Sequence, residues 1–197
     1  MLVLTEPTKS GVSRTAPKIA PNARIMPLRV LNASGVGTYS AVAAAIIYAA
    51  DNGAHIINLS LGGSAPSSVL ETAVNYAAAR GVTVVAAAGN TGRPGVMFPA
   101  AYPAVIAVGS LDDTMLASSF NSTGPEVDVM APGRSIISTY PETLYGLFSG
   151  TSLAAPHVSA VAALARATGG VMGMDGRSVR FIPPALTPTP SLTPSGC

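Results

Sequence analysis

Apolar residues in this chain form short continuous runs that alternate with longer stretches of helical spacing. The runs are rich in valine, isoleucine and alanine, which is typical of strands buried on both faces of a parallel sheet. They lie at residues 25–30, 56–60, 83–87 and 105–109. The intervening stretches 40–52 and 67–80 predict helices, each ending before a glycine. This alternation indicates an α/β fold with helices on both faces of a parallel sheet.

The C-terminal half adds a hairpin and a buried helix. Residues 136–139 and 145–148 flank a turn at Pro141 and predict two antiparallel strands. The chain then enters Gly-Thr-Ser at 150–152 and a helix that is apolar on nearly every face, as expected in a domain interior. Pro156 is expected near the start of this helix, where backbone N–H groups have no helical partner.

The predicted position of Ser152, at the N-terminus of a buried helix, suits an acyl-transfer nucleophile. The unpaired N–H groups and the positive end of the helix dipole would stabilise negative charge developing beside its hydroxyl. Serine is also a preferred N-cap, so this stretch alone leaves a capping role equally open. Asn90, which follows a buried strand, could donate to an oxyanion or form an ordinary turn.

Several sequence blocks carry a family resemblance, and two of them contain the residues considered above. Residues 150–158, Gly-Thr-Ser-Leu-Ala-Ala-Pro-His-Val, resemble the nucleophile motif of the subtilisin-like serine proteases, or subtilases. Residues 84–90, Val-Val-Ala-Ala-Ala-Gly-Asn, are similar to the block with the family's oxyanion asparagine. The resemblance implies a three-layer subtilisin-like fold and a serine endopeptidase. It also implies that Ser152 is the nucleophile and Asn90 the oxyanion donor.

The resemblance further implies a groove for an extended peptide. One wall would present open backbone groups, the opposite wall would follow a buried strand, and a pocket would receive the side chain that precedes the scissile bond. These three sets are Gly35, Val36 and Gly37; Ser60, Leu61 and Gly62; and Ala87, Ala88 and Gly89. A nucleotide-binding loop at 35–40 is excluded, because position 40 is Ser40 and no acidic ribose partner follows.

A loop after the oxyanion block resembles a weak cation site of some subtilases. Its ligands would be the backbone carbonyls of Ala100, Tyr102 and Val105, with Glu126 or Asp128 nearby. Oxygen ligands suit calcium or sodium, but a loop without an ion fits the sequence as well. The implied reaction itself needs no cofactor.

Composition narrows the class of partner. The chain has 197 residues, 48% of them hydrophobic, and a net charge of +2, so we expect one domain with a sizeable core. Without a basic cluster, neither nucleic acid nor a membrane surface is an expected partner. The longest apolar run, 41–50, is about half a membrane span, and residues 1–4 are too short for a signal-peptide core. The single Cys197 excludes an internal disulfide.

The resemblance begins near residue 19, and this predicts an N-terminally truncated domain. We expect an irregular segment at 1–18, a partial peptidase domain at 19–170 and a flexible Pro/Thr-rich tail at 171–197. Subtilases carry their triad in the order Asp, His, Ser, yet only the Ser block is found here. His157 is expected about 140° around the helix from Ser152, and His55 at the wrong end of its strand.

Two functions from different classes follow. The chain is either a truncated serine endopeptidase, inactive until a missing N-terminal segment supplies Asp and His, or a non-catalytic peptide-binding remnant. Localisation is open for the chain itself, while the resemblance implies an extracellular full-length relative. The family's Asp-bearing strand lies between the strands that match 25–30 and 56–60. Without it, we expect either a gap there or a shift of the strand 25–30 into the vacancy.

Overall fold

The computed structural model describes residues 2–5, 19–20, 22–140, 144–168, 171–175 and 178–182. Its main sheet has six strands in the order β2-β1-β3-β4-β5-β6. These are β1 (Leu2–Thr5), β2 (Arg24–Pro27), β3 (Ile56–Leu59), β4 (Thr83–Ala87), β5 (Val105–Leu111) and β6 (Val129–Pro132). The helices are α1 (Tyr39–Asp51), α2 (Ser68–Ala79) and α3 (Thr151–Ala167).

Alternating side chains of the central strands build two cores, one on each face of the sheet. Ile57 and Leu59 pack with the buried faces of α1 and α2, whereas Ile56 packs with α3. Because successive residues of a strand point to opposite faces, both faces of the sheet are apolar and both must be covered. The three-layer α/β fold is thereby confirmed, as is the pairing of β3, β4 and β5 in sequence order.

The first two helices begin at polar side chains that accept from their backbones. Thr38 accepts from the amide of Ala41 at the start of α1. Ser67 accepts from the amide of Leu70 at the start of α2. Each cap satisfies a donor that has no helical partner, so both helices begin within one residue of their expected positions.

The N-terminal edge of the sheet differs from expectation. Residues 2–5, predicted to be irregular, form β1, which lies between β2 and β3 and is antiparallel to both. Neither the expected gap nor the expected shift of β2 occurs, because β1 pairs with both strands that the gap would have exposed. Buried strand edges need partners for their N–H and C=O groups, and β1 supplies them.

The expectation of a flexible tail from residue 171 is also wrong at its start. Strands β9 (Val171–Asp175) and β10 (Ser178–Ile182) pair as an antiparallel hairpin. An Asp-Gly pair, which the sequence has at 175–176, is a signal that predicts such a hairpin. The Pro/Thr-rich residues 183–194 lie outside the described residues.

The hairpin before the buried helix is confirmed. Strands β7 (Ile136–Tyr140) and β8 (Leu144–Phe148) pair antiparallel, with Ile136 opposite Phe148. Pro141, the expected centre of their turn, lies outside the described residues. In the part of the chain that the structure describes, no helix is both long and apolar enough to cross a membrane.

Candidate active site

The first turn of α3 is bonded to the ends of two neighbouring strands. The Ser60 hydroxyl, one residue past β3, donates to the carbonyl of Ser152 at 2.7 Å. The amide of Gly89, two residues past β4, donates to the Thr151 hydroxyl at 3.1 Å. Because β3 and β4 are parallel, both contacts lie at the carboxyl edge of the sheet, where ligands bind in open α/β folds.

Asn90 is oriented by the residue that precedes Ser152. Its carboxamide oxygen accepts from the Thr151 amide at 2.9 Å and from the Thr151 hydroxyl at 3.0 Å. Two donors on one atom identify that atom as the oxygen, so the Nδ2 group must occupy the other side of the amide. The Asn90 amide is therefore held with its N–H donors turned away from Thr151.

The Asn90 amide and the Ser152 hydroxyl lie on the same side of Gly150. A Cβ placed on Gly150 would be 3.1 Å from Asn90 Nδ2 and 3.5 Å from Ser152 Oγ. The two groups are thus no further apart than the sum of these distances. That is well inside the limit of about 10 Å beyond which they could not serve one carbonyl. Their chemical roles stay predictions, since distance fixes what they can reach and not what they do.

Sequence reasoning missed the part played by Thr151. This residue is fully buried, and its hydroxyl accepts from Gly89 while donating to Asn90. It therefore links the strand end, the amide and the helix start through one side chain. The signal was present, because a polar residue directly before Ser152 on a buried helix needs hydrogen-bond partners.

The predicted wall at 35–37 is only partly open. The Val36 amide donates to the Asn32 side chain at 3.0 Å, and the Val36 carbonyl accepts from the Asn32 amide at 2.9 Å. The Gly35 amide donates to the Asn32 carbonyl at 3.0 Å. The expectation of open groups at Val36 is wrong, because Asn32 closes the loop on itself. Gly37 stays a candidate for this wall. Only glycine fits at this position, because an added Cβ would collide with the Val30 carbonyl oxygen.

The opposite wall follows β3 as expected in position. Ser60 lies directly after the strand and is half-buried, and Leu61 packs against the core formed with α1 and α2. Gly63, which follows Gly62, pairs with Phe98 through two backbone hydrogen bonds of 2.8 and 2.9 Å. This pairing fixes the wall against the loop that follows β4.

The predicted pocket residues are buried, and a side chain not foreseen lies beside them. Ala87, Ala88 and Gly89 all belong to the interior, and Gly89 has a φ of +113°, a conformation that favours glycine. A Cβ on Gly89 would be 2.6 Å from Met97 Cγ, and one on Gly62 would be 3.1 Å from Met97 Cβ. Met97 thus lies against one glycine that was assigned to a groove wall, Gly62, and one that was assigned to the pocket, Gly89.

Neither histidine of the chain is placed to act on Ser152. The Nδ1 of His157 donates to the carbonyl of Leu153 at 2.9 Å, so the ring folds back along its own helix. His55 precedes β3, at the amino end of the strand, whereas Ser60 and Ser152 meet past its carboxyl end. The 197 residues contain no third histidine.

Pro156 departs from its expected place. It is inside α3, five residues after the first helical residue, Thr151, and so lies beyond the turn in which N–H groups lack partners. The N-cap is Gly150, so more of the helix precedes the proline than we expected. A proline at this position removes one donor from the helix.

The suggested cation site is poorly supported by its own residues. The Tyr102 carbonyl accepts from the Val105 amide at 3.0 Å, and the Asp128 carboxylate accepts from the Ala107 amide at 2.8 Å. Among the described residues, no group of three acidic, histidine or cysteine side chains could bind a metal ion. The donor set does not fit calcium well, because one of the two expected acids is engaged with the sheet.

Two groups with a shifted pKa, Asp112 and Tyr76, lie outside this site. Hydrogen bonds from Thr114 and the Leu116 amide lower the pKa of Asp112, in the loop after β5. A hydrogen bond to Asp51 raises the pKa of Tyr76 on α2. Neither group contacts Ser152, so neither shift supplies it with a base.

The chain is similar in sequence to known proteases. The sequence profile of the Subtilase family matches residues 5–177. Thermitase from Thermoactinomyces vulgaris is 48% identical over 180 residues, which cover 91% of this chain and 61% of thermitase. Subtilisin DY from Bacillus licheniformis is 49% identical over 150 residues, covering 74% of this chain and 55% of that protein.

Solved structures agree with the sequence relatives. A cold adapted subtilisin-like serine proteinase superposes with a TM-score of 0.66 and 41% identity over 69% of this chain and 50% of that one. Sphericase gives a TM-score of 0.64 at 40% identity, over 68% of this chain and 51% of that one. The chain thus spans half to three fifths of the length of these relatives.

Proposed function

Since this chain belongs to the subtilase family, we propose that it carries the nucleophile and the oxyanion donor of a serine endopeptidase. Ser152 would attack the carbonyl carbon of a peptide bond, and Asn90 Nδ2 would donate to the oxygen as it becomes negative. The observation that supports this most is the pair of hydrogen bonds from Thr151 to Asn90. These bonds turn the amide donors toward the side of Gly150 on which the Ser152 hydroxyl lies.

The reaction would proceed through an acyl-enzyme. The Ser152 oxygen forms a bond to the carbonyl carbon, the peptide nitrogen leaves with a proton, and water later releases the acyl group. A base must accept the hydroxyl proton during attack, and His55 and His157 are engaged elsewhere. We therefore propose that the chain by itself is inactive, and that its partner is a segment supplying Asp and His. Loss of a triad member leaves only about 10³–10⁴-fold catalysis over water.

The substrate proposed is an extended peptide rather than a nucleic acid or a membrane surface. Its backbone would pair with Gly37 and with the chain past Ser60, in the manner of an added strand. Because Met97 lies against Gly89 and Gly62, the pocket favours a small side chain before the scissile bond. We propose an extracellular location for the full-length protein. An ion at Ala100, Tyr102 and Val105, if calcium or sodium binds there, would be structural only.

A non-catalytic peptide-binding role is the second candidate. One observation favours it: the groove walls and the Asn90 amide are in place, while both histidines of the chain lie elsewhere. Such a protein would bind peptides through the same backbone groups without cleaving them. An endopeptidase would cleave the bound peptide once a base is supplied, whereas a peptide-binding protein would still only bind it.

Labelling of Ser152 by a fluorophosphonate separates the two functions. We expect no stoichiometric labelling of the purified chain alone. Labelling should appear at Ser152, located by mass spectrometry, when the chain is co-expressed with the part of thermitase that it does not cover, where the family resemblance predicts the Asp and His. The matched control is Ser152→Ala, which should not label under either condition. Peptide binding without labelling in the complemented protein would favour the peptide-binding role, and labelling of the chain alone would reveal a base within it.

A further inference from the structure

The carbonyl group of Ser152 lacks the partner that a helix normally gives it. In an α-helix each carbonyl accepts from the amide four residues later, and four residues after Ser152 is Pro156. Proline has no N–H group, so this carbonyl cannot make its helical hydrogen bond. The residue assigned as nucleophile is therefore the one whose backbone the helix leaves unsatisfied.

A side chain from β3's end replaces the missing donor. The Ser60 hydroxyl donates to the Ser152 carbonyl at 2.7 Å and accepts from Asn58 Nδ2 at 2.9 Å. Asn58 Oδ1 in turn accepts from the Ser159 hydroxyl at 2.9 Å. Asn58 is 2% exposed and Ser159 is fully buried, so water does not compete for the hydrogen bond between these two side chains. The Ser159 hydroxyl also lies 3.1 Å from the carbonyl of Ala155 in its own helix.

These contacts form a closed path, which we call the serine relay: Ser159, Asn58, Ser60 and the Ser152 carbonyl. The relay begins and ends on the same face of α3, at residues two helical turns apart, and passes through the end of β3. Asn58 is the only one of its members whose side chain contributes both a donor and an acceptor from a rigid plane. It fixes the direction from which the Ser60 hydroxyl approaches Ser152.

We propose that the serine relay is a positioning device for Ser152. By satisfying the carbonyl that Pro156 leaves open, it sets the backbone of the nucleophile residue against the groove wall formed past β3. The direction of the Ser152 Oγ follows from that backbone, and attack on a carbonyl depends on alignment within a fraction of an ångström. Ser60, Asn58 and Ser159 act through Ser152 and are positioning residues. The proposal rests on the proposed function of Ser152 as a nucleophile.

The hydrogen bond itself can be observed by NMR on the 197-residue chain. Serine labelled with ¹³C at its carbonyl gives a Ser152 signal, assigned by its loss in Ser152→Ala. Ser60→Ala should move this signal upfield, because a carbonyl that loses a donor is less polarised, while Ser60→Thr should restore it. Thr72→Val is the matched control: it removes a hydroxyl that donates to a helix carbonyl, that of Ser68 in α2, at 2.7 Å. An unmoved Ser152 signal in Ser60→Ala would overturn the proposal.

The positioning role can be separated from simple packing by ligand binding. A peptide boronic acid can exchange one B–OH group for the serine oxygen, and the serine proton leaves with that hydroxyl as water, so the step needs no added base. The matching peptide alcohol uses only the groove. We expect the boronate-to-alcohol affinity ratio to fall about tenfold in Ser60→Ala and to recover in Ser60→Thr. Ser159→Ala, a smaller change at the far end of the relay, should lower the ratio less. An equal loss of both ligands in Ser60→Ala would assign Ser60 to the groove wall alone.

The relay and the proposed function fail in different ways. If the unaltered chain binds the boronate no better than the alcohol, Ser152 is not a competent nucleophile and the proposed function is wrong. The carbonyl signal then still shows whether the serine relay exists. If the boronate is preferred and the ratio does not change in Ser60→Ala, the function stands and the positioning role is refuted.

Discussion

The two sides of the main sheet are built differently. From β3 to β6 the strands are parallel, and β3, β4 and β5 are buried along almost their whole length. At the other side β2 is half-buried, and among the described strands its one neighbour is β1. β1 is antiparallel to both strands that it joins, with four residues in all. The side from β3 to β6 has an apolar core on each face of the sheet, whereas the other side is an edge completed by the short strand β1.

The difference bears directly on the candidate site. Ser60, Asn90 and Ser152 all come from elements of the buried side, where two apolar cores fix the strands and α3. The proposed nucleophile and the proposed oxyanion donor are therefore placed by the same packing that stabilises the fold. β1 lies where the resemblance led us to expect the family's Asp-bearing strand, but it is antiparallel to β3 and contains no acidic residue. The buried side alone therefore positions both residues to which we assign chemical roles.

The largest expected difference in stability is between two variants that each truncate one isoleucine, one on the buried side of the sheet and one at its edge. Ile57 in β3 is fully buried, so Ile57→Ala should lower the free energy of unfolding by about 2–5 kcal/mol. Ile25 in β2 is half-buried, and Ile25→Ala should cost about 1 kcal/mol. Urea unfolding of both variants measures the difference. Equal losses would mean that the edge is as well packed as the centre.

The second prediction concerns β1 and is of intermediate size. Val3 lies opposite Met26 of β2 and Ile57 of β3, so Val3→Pro removes one ladder donor and disturbs the strand between them. We expect a loss of about 1–3 kcal/mol and much faster hydrogen exchange in β2, with the amides of β4 unaffected.

The unaltered chain provides the reference for that experiment. Because β2 lies at the edge of the described sheet, its amides should already exchange faster than those of β4. Persisting protection of β2 in Val3→Pro would show that β1 does not stabilise it.

The sequence predicted the buried side well and the edge poorly, for physical reasons. Continuous apolar runs specify β3, β4 and β5, because only strands buried on both faces tolerate such runs. β1 is four residues long and too short for any periodic signal, and its pairing depends on edges distant in sequence. The closure of the loop by Asn32 and the contacts of Thr151 escaped prediction similarly, since each depends on where one side chain turns.

The third prediction is the smallest and tests the groove built by the buried side. Met97 lies against Gly62 and Gly89, so Met97→Gly should open the pocket and favour peptides with a large side chain before the scissile bond. Because one methylene in an apolar pocket is worth about 1–3 kcal/mol, we expect phenylalanine to gain about tenfold over alanine, or about 1.4 kcal/mol. The comparison uses paired peptide boronic acids that differ only in that residue. Met115→Gly is the matched control, because Met115 is 68% exposed in the loop after β5, where its positive φ suits glycine. An unchanged preference in Met97→Gly would mean that the side chain lies beside the pocket without filling it, and that the pocket's size is set by the strand ends alone.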